Sequence, residues 1–138
     1  MSGGVRQLRL VVHAEDYAAT LRFFRDVLGM PTEEAYAGDG GAEVTILDAG
    51  RATLEIANTA QVEMIDAVEV GRRVAPHLRV ALEVDDGAAA ASDAVAGGAS
   101  LVAPPTETPW RSLNARLDVP GGVHLTLFQE LDSPQAGP

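Results

Sequence analysis

The chain has 138 residues, 46% hydrophobic and 22% charged, a balance that suits one globular domain with a real core. Its formal charge of −10 and scattered basic residues, with Arg72 and Arg73 the only adjacent pair, exclude a phosphate-backbone footprint, so no nucleic-acid partner is expected. The absence of cysteine excludes disulfides, thiolate metal sites and Cys nucleophiles; with no signal-like start and no membrane-length apolar run, a cytoplasmic protein without a membrane partner is expected.

Taken in chain order, residues 8–13 alternate as a strand does. Asp16 then suits the N-cap of a helix over residues 17–28 that buries Leu21, Phe24 and Leu28 and stops at Gly29. Three short β segments follow at 32–37, 42–48 and 52–57, separated by Gly40-Gly41 and Gly50. Residues 60–68 suit a short helix over the surface, and 70–75 a connector. Residues 78–84 alternate again, Asp85 or Asp86 caps an Ala-rich helix over 87–95, and Gly97-Gly98 ends it. Further strands are expected at 100–103, 113–118 and 123–129, the last two joined by Pro120-Gly121-Gly122. Pro104 to Trp110 reads as a rigid exposed loop, and the ends, MSGG and DSPQAGP, carry no periodic apolar pattern.

The two halves repeat. Residues 8–16 lie over 78–86 at an offset of 70, which also places 45–48 on 115–118; at an offset of 71, residues 54–56 fall on 125–127. Each half reads as βαβββ: module one about 6–58, connector about 59–76, module two about 77–131, in a single domain of 1–138. Strand alternation puts Arg9, Val11 and His13 on one face, with His77, Arg79, Ala81 and Glu83 on the equivalent face of the second module. Thr53, Glu55 and Ala57 share a face, as do His124, Thr126, Phe128 and Glu130. Apolar Leu8, Leu10, Val12, Leu54, Ile56, Leu125 and Leu127 point the other way.

Several motifs carry a family likeness: Phe23-Phe24-Arg25-Asp26-Val27-Leu28-Gly29-Met30, Ala52-Thr53-Leu54-Glu55-Ile56, Val84-Asp85-Asp86, and Leu117-Asp118-Val119-Pro120-Gly121-Gly122. Together, in this order and within a repeat, they resemble the vicinal oxygen chelate superfamily of glyoxalases, bleomycin-resistance proteins and extradiol dioxygenases. The resemblance implies an α+β fold of two tandem βαβββ modules, their mixed sheets curled around a cavity, commonly in a homodimer. Metal-dependent members hold a divalent ion on the first and last strands of each module. Carried over, those positions are Arg9, Glu55, Arg79 and Thr126, of which only Glu55 is an ordinary ligand; Arg repels a cation. No metal cofactor is therefore expected, the alternative being a shifted site from His13 or His77 with Glu55 and His124. Arg9, Glu55 and Arg79 can instead orient a ligand or neutralise one another as a buried ion cluster.

The expected function is metal-independent binding of a small, largely apolar natural product, as the resemblance to antibiotic-sequestering resistance proteins implies. Arg9, Val11, His13, Tyr36, Glu55, Met64, Arg79, Trp110, His124, Thr126 and Phe128 are the candidate ligand-binding residues, and Trp110 is the sole indole for the pocket mouth. No catalytic residue is assigned and the expectation leans away from an enzyme. Two alternatives stay open: a metal-dependent lyase, isomerase or dioxygenase, and metal-free acid/base catalysis by Glu55 or His13.

Overall fold

Alternation along the last two strands divides the molecule into an apolar side and a polar side. The structure is a computed structural model that describes residues 6–53 and 55–131; both chain ends and Leu54 lie outside them. Helix α1 (Tyr17–Arg22) runs into a π-helical segment (Phe23–Val27) and is followed by β1 (Thr32–Ala37) and β2 (Glu43–Leu47). Next come α2 (Thr59–Glu69), β3 (Val80–Glu83), α3 (Gly87–Ala96), β4 (Ser100–Glu107), β5 (Ser112–Val119) and β6 (Val123–Glu130). β1 and β2 form an antiparallel pair; the larger sheet is mixed, in the order β3-β6-β5-β4, with β3 parallel to β6 and the other pairs antiparallel. The α+β class and the curled βαβββ organisation are those expected, and module two carries all its elements.

Module one differs in its outer segments. No strand forms over residues 6–14 or over the described part of 52–57. By the repeat these segments would pair with each other as β3 pairs with β6. Alternation specifies the two faces of a strand but not a hydrogen-bonding partner, and a strand without a partner leaves its backbone groups to water. Leu8, Leu10, Val11 and Ile56, expected on packed or inward faces, consequently stay 51%, 59%, 86% and 88% exposed.

Two further expectations shift. The Asp16 carboxylate accepts from the Ala19 N–H at 3.1 Å and starts the first helix as predicted. Its second half widens into a π turn, with Leu28 N donating to Phe23 O at 3.0 Å. The extra residue in that turn alters the 3.6 spacing assumed for Leu21, Phe24 and Leu28: Phe23 takes the fully buried core position, with Phe24 and Leu28 partly buried against it. β4 continues through Pro104-Pro105 to Glu107, where a loop was expected. It is the edge strand, where a missing N–H goes unused, and its irregular register with β5 absorbs the prolines.

The core lies between the larger sheet and the helices. Ala115, Leu117 and Val119 of β5 and Leu125 and Leu127 of β6 meet Ala91 and Ala94 of α3 and Phe23. Leu117, Leu125 and Leu127 have no exposed surface, and burying each contributes about 1.5–3 kcal/mol. Gly97 lets the first helix approach closely, since a Cβ there would stand 2.7 Å from Val27 Cγ2. Among the described residues no helix is long and apolar enough to cross a membrane.

Candidate functional site

The intervening residues of β5 and β6 face the other way. Cross-strand register sets Asn114 opposite Phe128, Arg116 opposite Thr126 and Asp118 opposite His124, a polar ladder on the concave side. α2 forms where a short surface helix was expected, and only Asp66 and Glu69 of it are buried. Asn58 caps it, accepting from Gln61 N at 2.9 Å, and its last turn places Asp66 and Glu69, three apart and so on one face, against this ladder.

The result is a buried ion cluster. Arg116 is fully buried; its Nη2 donates to Asp66 Oδ1 at 2.9 Å and its Nε to Glu69 Oε1 at 2.8 Å. Asn114 Nδ2 donates to Glu69 Oε2 at 2.6 Å, and its Oδ1 has no donor among the described residues. The other oxygen of Asp66 accepts from the Val74 and Ala75 N–H groups, each at 2.9 Å, and from Arg73 Nη1 at 3.3 Å. Burial pushes the Asp66 carboxyl upward, but the Ala75 and Val74 N–H groups and Arg116 outweigh it and hold the group below its ordinary value.

His124 extends the chain of contacts. Its Nε2 lies 3.1 Å from Arg116 Nη1, which can only donate, so Nε2 accepts and the ring proton sits on Nδ1. Nδ1–H donates to Asp118 Oδ1 at 3.1 Å. The imidazole thus bridges Arg116 and Asp118, with both ring nitrogens engaged. Beyond His124 the concave side opens into a cavity of about 390 Å³ lined by Arg72, Arg73, Val74, Val102, Asp118 and His124.

Of the candidate residues, the fold joins Arg79 to Thr126, the third and fourth positions of the resemblance, by a hydrogen bond from Nη1 to the hydroxyl. Burial and then the Arg116 charge lower the Arg79 pKa, against the pull of Glu69, Glu55 and Asp66. Glu55 thus acts on Arg79 through its charge, while its side chain stays exposed. Phe128 is half-buried beside this group and His124 is nearly buried within it.

The remaining candidates lie elsewhere. Arg9 is exposed, bonded to Gln7 at 3.3 Å and 4.0 Å from Glu34; no hydrogen bond or ion pair among the described residues links it to Glu55 or Arg79. Tyr36 joins it on the surface by donating to Glu34 at 2.9 Å, a bond that raises the phenol's pKa. Val11, His13 and Met64 are exposed. Trp110 is 44% exposed at the β4–β5 turn and does not line the cavity. Sequence reasoning missed Asp66, Glu69, Arg72, Arg73, Asn114, Arg116 and Asp118. The polar residues at 114, 116 and 118, alternating with apolar 115, 117 and 119, were the available signal for three of them.

The residues present do not fit a divalent metal. At two of the carried-over positions a guanidinium donates to a hydroxyl, and a third is Arg9. The shifted alternative fares no better, because both nitrogens of His124 are engaged by Arg116 and Asp118. Among the described residues no three His, Asp or Glu side chains gather as a ligand set.

Comparison with known proteins places this geometry. A structure of a glyoxalase family protein from Bacillus cereus superposes with a TM-score of 0.59 at 18% identity, covering 95% of this chain and 99% of that one. A protein of unknown function from Agrobacterium tumefaciens gives 0.58 at 17% identity, covering 94% and 98%. A glyoxalase-related enzyme from Fulvimarina pelagi gives 0.54 at 17% identity, covering 91% and 88%. No curated protein matches the chain. The family profile described as Glyoxalase/Bleomycin resistance protein/Dioxygenase superfamily matches residues 6–128, and the chain belongs to that superfamily.

Proposed function

We propose that the chain binds a small molecule on the concave side of its second module, without a metal and without chemically altering the ligand. The observation that carries this reading is the Arg79–Thr126 hydrogen bond, which sets a fixed cation where a metal-dependent relative needs lone-pair donors. The committed nitrogens of His124 support binding over acid/base chemistry at that residue. The cavity lining is rich in charged and polar side chains, which moves the ligand from the largely apolar one expected to a polar one. The exposed apolar residues of module one support a homodimer, in which a second copy covers Leu8, Leu10, Val11 and Ile56.

Metal analysis of protein purified without chelator, followed by thermal melts with added Mn, Fe, Ni and Zn, tests the reading. Substoichiometric metal and no saturable stabilisation are expected. One equivalent of bound metal, or a saturable rise in Tm with one of these ions, would overturn it.

A further inference from the structure

The only adjacent pair of cations in the chain, Arg72-Arg73, stands on one wall of the 390 Å³ cavity with Val74. Val102 of β4, Asp118 of β5 and His124 of β6 form the other. The charges on the two walls are not equally committed. Arg73 uses Nη1 on Asp66 and on the Ala75 carbonyl, at 3.3 and 2.8 Å, which leaves Nε and Nη2 to donate. Arg72 is exposed and has no hydrogen bond or ion pair among the described residues. Opposite them, Asp118 accepts from His124 through Oδ1 alone, so Oδ2 remains an acceptor, and its side chain is 66% exposed.

The cavity therefore offers guanidinium donors on one wall and a carboxylate acceptor on the other, with one valine on each. A bare anion drawn to Arg72 and Arg73 meets repulsion from Asp118. A hydroxyl beside the anionic group reverses that contact, because it donates to Asp118 while the anion takes the guanidinium hydrogens. His124 holds Asp118 in place and spends neither nitrogen on the ligand. We propose that this opening is a subsite for a small 2-hydroxy carboxylate, with its carboxylate on Arg72 and Arg73 and its hydroxyl on Asp118. The proposal rests on the metal-free binding reading and names the ligand chemistry of that site.

The test titrates glycolate and acetate, which differ by one hydroxyl, into chelator-treated full-length protein at fixed ionic strength, followed by NMR of the Arg side chains and the His124 ring. Glycolate should bind saturably and more tightly than acetate. Arg72→Gln should weaken glycolate roughly tenfold, the scale of one charge-assisted hydrogen bond. Asp118→Asn should erase the preference for glycolate by strengthening acetate. Both side chains are exposed, and unchanged circular dichroism confirms that the variants fold. No saturable binding, equal affinity for the two acids, or an Arg72→Gln affinity within about twofold of wild type overturns the subsite. Metal content of the untreated sample is read separately: bound metal overturns the metal-free reading, whereas loss of Arg72 dependence in metal-free protein overturns the subsite alone.

Discussion

Arg116 has no exposed surface, and each of its three nitrogens meets a different partner: Asp66, Glu69 and His124. Such a cluster is a poor source of net stability when compared with apolar packing, yet breaking it from one side strands the remaining charges. Arg116→Ala should cost about 3–5 kcal/mol in urea unfolding, because two buried carboxylates lose their cation. A loss below about 1 kcal/mol would mean that α2 detaches readily and lets both carboxylates reach water. Asp66 supplies a pH signature with a definite sign. Its folded pKa lies below the unfolded value of about 3.9, so its contribution is complete above that pH and is lost as pH falls through the folded pKa. Asp66→Asn should destabilise the protein at neutral pH, and the gap from wild type should narrow only in acid. Unfolding curves across this range check it; a gap that is constant down to the acid limit contradicts the assignment. The sequence displayed half of this cluster. Asn114, Arg116 and Asp118 alternate with apolar neighbours, and Asp66 and Glu69 stand at helical spacing. It did not display which surface α2 would cover, since helical spacing aligns two carboxylates without saying what they face.

At the scale of elements, what was legible followed locality. β1 spans the residues expected because the turn at Gly40-Gly41, both at positive φ, brings β2 back antiparallel onto it. α3 follows from the Asp86 cap, whose Oδ1 accepts from Ala89 N at 3.1 Å, and from Gly97-Gly98. The π turn was not legible, since Phe23, Phe24, Val27 and Leu28 support more than one apolar face. Nor was the length of β4, which depends on pairing with β5 rather than on its own Pro-rich sequence. Gly121 in the β5–β6 turn joins local and non-local demands. Its φ is +95°, and a Cβ there would stand 2.8 Å from Thr20 Cγ2 on α1. Gly121→Ala should therefore destabilise the protein by more than about 1 kcal/mol, combining backbone strain with displacement of the first helix. Thermal melts of Gly121→Ala and Gly121→Ala/Thr20→Ser separate the two causes. Recovery in the double variant measures the contact, and what persists measures the backbone.

The whole molecule sets two forces against each other. A formal charge of −10 on each chain repels a second copy, while module one leaves Leu8, Leu10, Val11 and Ile56 largely in water. If a second copy covers these residues, the driving force is apolar burial and like charges oppose it. Salt screens repulsion between exposed charges over about 10 Å at 0.1 M but leaves apolar burial in place. Dimerisation should therefore tighten as sodium chloride rises, the reverse of an association driven by opposite charges. Light scattering behind a sizing column should report twice the chain's 14.4 kDa, with less dissociation on dilution at high salt. Val11→Asp and Ile56→Asp each add a charge at a site 86% or 88% exposed in the single chain, so neither should unfold it, and both should shift the mass to 14.4 kDa. A wild-type protein that stays at 14.4 kDa at every salt concentration would leave these residues without an apolar partner and remove the homodimer from the functional reading.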